Sequence, residues 1–248
     1  MKKTLPTLLI ALTCLLLLSC SPLLFADDAD DDTPEHRIEP VVQDIEGWTV
    51  HVDPALLEGE YAEEGGDALR MLAGHLQRIS ILIPEPQLTD MRGLEIWIER
   101  HHELGSMQYH PSVGWLRRNG YDPRLAKKVH IPRASALLSR QQLLKHPAVV
   151  LHELAHAYHD QCMEGGFNET SIVDAYKAAK EAGIYEEVML YTGATVRHYA
   201  LTNQMEYFAE GTEAYLYRND FYPFVGAELR QHDPVLYDIL KETWGSPR

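Results

Sequence analysis

The thirteen residues VVLHELAHAYHDQ, from Val149 to Gln161, constrain this chain more than any other feature. The run has the apolar content of a buried helix, yet it carries three histidines and a glutamate. A buried imidazole or carboxylate costs free energy unless something pairs with it, so the segment requires a partner it does not contain. On a helix His152 and His156 share one face, with Cβ atoms roughly 5–6 Å apart, close enough to bind one metal ion together. Glu153 is turned about 100° from His152, where it can reach a metal-bound water without ligating the metal. This H-E-x-x-H spacing predicts zinc, which brings the pKa of a bound water towards about 7 while the adjacent carboxylate takes its proton. The apolar neighbours Val149, Val150, Leu151, Leu154, Ala155 and Ala157 argue against a solvated helix. His159 is the bystander of the three histidines.

Catalytic zinc usually has three protein ligands and one open position, so a third ligand must come from elsewhere. A metzincin would place a histidine six residues after His156 in a glycine-containing extension, but that position is Cys162 and the next glycine is Gly165. The segment YALTNQMEYFAEGTEAYL (199–216) offers Glu206 and Glu210 on one face of a predicted helix, among Met205, Tyr207, Phe208, Ala209 and Tyr215. Asn203 is a candidate N-cap, and Glu206 three residues later completes a capping box, which is a rival role for that carboxylate. The residues alone do not choose between Glu206 and Glu210.

HELAH followed about fifty residues later by Y-x-x-x-x-x-x-E-x-F-A-E resembles the catalytic domain of anthrax lethal factor and its relatives, which include the Pro-Pro endopeptidases. These are zinc metallopeptidases of the gluzincin type. The likeness runs over roughly residues 145–217 and rests on Tyr199, Asn203, Glu206, Phe208, Ala209 and Glu210. It implies a zincin-like fold in which His152, His156 and Glu206 hold zinc, Glu153 is the general base and Tyr199 stabilises the oxyanion. Glu210 would then hold a ligand imidazole by its other ring nitrogen. Independently, a phenol beside zinc can stabilise charge developing on an attacked carbonyl oxygen. His198 and His159 are the runners-up for that role.

Lys2 and Lys3 precede the apolar run LPTLLIALTCLLLL, too short for a permanent membrane span, so residues 1–26 read as a secretory signal peptide. Two processing sites compete: LLSC resembles a lipobox ending at Cys20, which would anchor the protein to a membrane by a lipid, and LLFA offers Ala26 to ordinary signal peptidase. Either places the protein outside the cytoplasm, as a secreted protein or a cell-envelope lipoprotein. Residues 27–40 open with an acidic run and read as a solvated tether. The formal charge of the 248-residue chain is −15; setting aside Lys2, Lys3 and the six acids of 27–35 leaves −11. That disfavours nucleic acid as a partner. Without its signal the chain keeps Cys162, with or without a lipidated Cys20, so no internal disulfide is expected.

Residues 41–248 read as one α+β domain, with a small sheet in the first half and helices in the second. WTVHVD and LEIWIER alternate as strands, GDALRMLAGHLQRISILI has helical spacing, and KKVHIP is a short strand at a sheet edge. Pro147 falls in the first turn of the HELAH helix, ETSIVDAYKAAKEAG runs from a cap at Glu169 or Thr170 to Gly183, and His101, His102 and Glu103 cap a strand. The stretch 105–132 holds a candidate edge for peptide binding, and its basic residues either meet an acidic substrate or balance the surface. The aromatic segment 219–234 packs the core or the pocket wall. The expected activity is peptide-bond hydrolysis by a monomer on peptide or protein substrates. The rivals are a zinc amidase acting on cell-wall peptide and a non-catalytic envelope protein with a structural zinc.

Overall fold

A computed structural model describes residues 37–246. The signal peptide, Cys20 and most of the acidic tether lie outside the described residues. Strand β1 (Val41–Ile45) and β2 (Trp48–Val52) form a hairpin. Its two-residue turn, Glu46 and Gly47, has φ of 55° and 91°. Positive φ at both positions matches the twist of the flanking strands. Helix α1 (Ala62–Leu82) and the short α2 (Gln87–Arg92) carry the chain over to β3 (Glu95–Ile98), parallel to β2. Then come β4 (Gln108–Tyr109), α3 (Val113–Arg118) and β5 (Lys128–Ile131), with β5 parallel to β3 and antiparallel to β4. The sheet order is β1-β2-β3-β5-β4.

KKVHIP is therefore not the edge. Strand β5 is paired on both sides, and β4, too short for any periodicity, takes the edge position. The second half holds α4 (Arg140–Lys145), α5 (Val149–Gln161), α6 (Thr170–Ala182), a small hairpin of β6 (Val188–Met189) and β7 (Thr195–Val196), then α7 (Gln204–Leu216), α8 (Gly226–His232) and α9 (Pro234–Trp244). Pro147 sits one residue before the α5 N-cap, Ala148, rather than in the first turn. None of the helices among the described residues is long and apolar enough to cross a membrane.

Alternation along β3 sorts side chains between two clusters. Ile96 and Ile98 enter the main core with Val50, Val52, Leu72, Leu76 and Ile79, while Trp97 faces a smaller cluster with Leu116 and Leu125. Helix α1 spaces Ala68, Leu72, Leu76 and Ile79 along one face, which buries it against the sheet. Gly65 lets its first turn meet the Leu56 backbone, where a Cβ would overlap the carbonyl. His102 does not cap a strand at the surface; it is buried, its ring 4.9 Å from that of His130. Much of the basic island is neutralised within the fold, Arg124 by Asp122 and Glu39, Lys127 by Asp160, and Lys128 by Glu95.

Candidate metal centre

Helix α5 is buried over nearly its whole length and packs against α7. The first turn of α7 is fixed by Asn203, whose side-chain oxygen accepts from the amides of Met205 at 2.8 Å and Glu206 at 2.9 Å. The Glu206 carboxylate does not fold back onto the helix start as a capping box would have it; it reaches across to α5. There Oε2 of Glu206 lies 3.2 Å from Nε2 of His152 and 3.2 Å from Nε2 of His156, and the two ring nitrogens are 3.1 Å apart. Three ligands about 2.0–2.1 Å from a tetrahedral ion stand roughly 3.3 Å from one another, so the triangle has the dimensions of one face of a metal site.

Proton bookkeeping favours a cation at the same point. Nδ1 of His152 donates to Oε1 of Glu213 at 2.6 Å, which fixes the tautomer and leaves a lone pair on Nε2. In the neutral ring that lone pair faces a carboxylate oxygen, a repulsive arrangement that either a proton or a metal ion between them relieves. Burial opposes charge on His152, but Glu206 and Glu213 outweigh it and raise the imidazole well above its ordinary value. Burial likewise opposes charge on Glu206, and the two imidazoles outweigh it and hold its carboxyl far below the usual range.

A second trio, His146, His152 and Glu213, also brings ligand-type atoms together. Here one oxygen, Oε1 of Glu213, accepts from His152 Nδ1 at 2.6 Å and from His146 Nε2 at 2.8 Å. Those are lengths of charge-assisted hydrogen bonds, shorter than the spacing between ligands of one metal. Glu213 is fully buried and acts as a bridge between two imidazoles.

This corrects the place given to Glu210. Its Oε1 is 3.9 Å from His152 Nδ1, and its other oxygen accepts from Asn219 Nδ2 at 2.9 Å. Glu206, Glu210 and Glu213 share one helix face at i, i+4 and i+7, so the periodicity that singled out two carboxylates contained the third. His146, in the loop before α5, carried no sequence signal.

Glu153 lines the same cleft, and its Oε2 accepts the Tyr109 amide of β4 at 2.9 Å. Burial raises its pKa. Tyr199 begins a short 3-10 turn capped by His198, lines the cleft and is 48% exposed; burial, then the charge of Glu206, raises its pKa. The other candidates are committed elsewhere. The His159 ring packs 4.8 Å from Phe208 and 5.2 Å from Phe167, and His198 stacks on Phe221 while its Nδ1 accepts the Ala200 amide. The cleft has a volume of about 660 Å³.

No family model matches the chain, and neither does any curated protein. Among solved structures, the Pro-Pro endopeptidase from Paenibacillus alvei is similar, with a TM-score of 0.40 and 21% identity, covering 75% of this chain and 92% of that one.

Proposed function

We propose that this chain is a zinc-dependent peptidase that hydrolyses peptide bonds at the cleft between α5 and α7. The supporting observation is the triangle of His152, His156 and Glu206, with Glu153 fixed beside it on the cleft wall. Zinc held by those three residues would supply Lewis-acid activation of water.

The chain's own residues then have separable tasks. The Tyr109 amide holds one oxygen of Glu153 and leaves the other to accept a proton from water and return it to the leaving amine. Burial raises the basicity of that carboxylate, which suits both directions of transfer. The Tyr199 phenol keeps its proton at neutral pH and can donate to the oxygen on which charge develops. Glu213 keeps the His152 ring in the ligating tautomer. Strand β4 is the outer strand of the sheet on this side and its residues Gln108 and Tyr109 line the cleft, so an extended peptide can lie along that edge as an added strand.

The test is digestion of a diverse peptide library by the metal-loaded protein beside its Glu153→Gln form, with metal content measured on both. Hydrolysis lost with metal retained is the expected result. Equal hydrolysis by the two forms would sink the mechanism.

A further inference from the structure

Four carboxylates line the cleft: Glu153, Glu206, Glu210 and Asp220. Three of them are matched by donors from other residues, namely the Tyr109 amide, the two imidazoles and the Asn219 side chain. Asp220 is different. It is only 4% exposed, yet among the described residues no other side chain hydrogen-bonds or ion-pairs with its carboxylate, and its own backbone amide is its donor. Burial pushes its carboxyl up to about 6, opposed by the more distant charge of His146. His146 is already committed to Glu213, and Lys145, exposed at the rim, lowers the Asp220 carboxyl least of the groups acting on it and makes no ion pair with it. Among the described residues Asp220 belongs to neither trio that gathers ligand-type atoms.

The backbone that carries this carboxylate is held in place. The Asn219 side-chain amide donates to both the backbone oxygen of Glu210, at 2.8 Å, and its carboxylate, while Asn219 Oδ1 accepts the Phe221 amide at 2.8 Å. On the other side the Tyr191 amide donates to the Asp220 carbonyl at 2.7 Å, and Tyr222 donates to the Met189 carbonyl at 2.8 Å. The Phe221 ring is stacked 4.8 Å from His198. A buried carboxylate on a fixed backbone, matched only by its own amide, is costly to keep charged, and the open side from which a cation can reach it is the cleft.

We infer that Asp220 is the anionic end of a subsite that takes the ammonium or guanidinium group of a Lys or Arg side chain adjacent to the cleaved peptide bond. This rests on the peptidase reading above. The cleft, about 660 Å³ in volume, is large enough for a peptide segment carrying a long side chain. An ion pair formed in this desolvated position discriminates against a side chain of equal length without the charge.

The test uses the full metal-loaded chain and peptides in which one central position is Lys, Arg, norleucine or Glu, with cleavage sites read by mass spectrometry. Norleucine keeps the methylene stem of Lys and lacks its charge. The wild type should cleave next to Lys or Arg with kcat/KM about 10- to 100-fold above norleucine. In Asp220→Asn the ratio of Lys to norleucine should fall to near one. Equal cleavage of Lys and norleucine peptides by the wild type overturns the subsite and leaves the peptidase reading standing. An Asp220→Asn protein that slows on every peptide but keeps the Lys-to-norleucine ratio also overturns it. Binding of the labelled Lys and norleucine peptides to the Glu153→Gln form separates the two readings. If no peptide is cleaved by the wild type, tighter binding of Lys peptides keeps the subsite while the peptidase reading falls, and equal binding removes both.

Discussion

Oε1 of Glu213 stands 2.6 Å from Nδ1 of His152, whereas Oε1 of Glu210 is 3.9 Å from the same nitrogen. One turn of α7 thus separates the carboxylate that fixes the ring from the one that does not. Glu213→Gln should weaken zinc affinity by about 10- to 100-fold, the range found when such a partner of a ligating histidine is removed. Glu210→Gln should cost several-fold less. Competition with a chelating dye measures both, and the reverse order would reassign the two residues.

Glu206 supplies the one oxygen of the triangle. Its replacement by Gln removes the negative charge and leaves two imidazoles, so the metal loss should exceed that of either other α7 variant. Metal content after gel filtration reads this directly. A Glu206→Gln protein that retains a full equivalent of zinc would displace the ligand set.

Two glycines of α1 should respond oppositely to the same change. A Cβ at Gly65 would overlap the backbone carbonyl of Leu56, which cannot move aside without shifting the turn before the helix. At Gly74 a Cβ meets nothing within 4 Å. Gly74→Ala should therefore gain about 0.5–1 kcal/mol from helix propensity, and Gly65→Ala should lose about 1–3 kcal/mol from overpacking. Urea midpoints of the two variants check the contrast. Equal shifts would mean that the close approach at Gly65 is not held in solution.

His75 makes α1 sensitive to acid. Its imidazole is buried, and burial, aided by Arg78, lowers its pKa to about 4 from 6.5. Between those values the unfolded chain binds the proton and the folded chain does not, so the wild type loses stability as pH falls from 6.5 towards 4. His75→Leu removes that proton uptake. Its stability relative to wild type should rise on acidification by up to about 1.4 kcal/mol per pH unit and level off near pH 4. Urea midpoints at pH 7, 5.5 and 4.5 give the difference, and a difference independent of pH would show that His75 is free to charge in the native state.

What was legible in the sequence follows the range of the signal. Asn203 as an N-cap, Gly183 closing α6, the alternation in β3 and the helical face of α1 are local features, and the structure contains all of them. His152, Glu153 and His156 could be named from one helical motif, whereas the second helix offered Glu206 and Glu210 alike and only the family resemblance chose Glu206 and Tyr199; the structure places all of them in one cleft. Strand β4 was hidden because two residues carry no periodicity, and β5 was placed at an edge because nothing in its own residues reports a neighbour on both sides. Glu213 was passed over because i+4 and i+7 from Glu206 are equivalent on a helix face until the partner ring is in place. His146 and Asp220 sit in loops, and their relation to the cleft exists only after α4, α5 and α7 have packed.

The contact between the Tyr109 amide and Glu153 gives the loop before β4 an unusual task. A two-residue strand cannot set its own register; its neighbours and the length of the chain entering it must do so. Successive amides on a strand point to opposite edges, so a one-residue slip of β4 against β5 would turn the wrong amide towards α5. Surface loops usually absorb changes in length without consequence. Here a change that pulled the β4 pairing out of step by one residue would release the carboxylate that the strand holds.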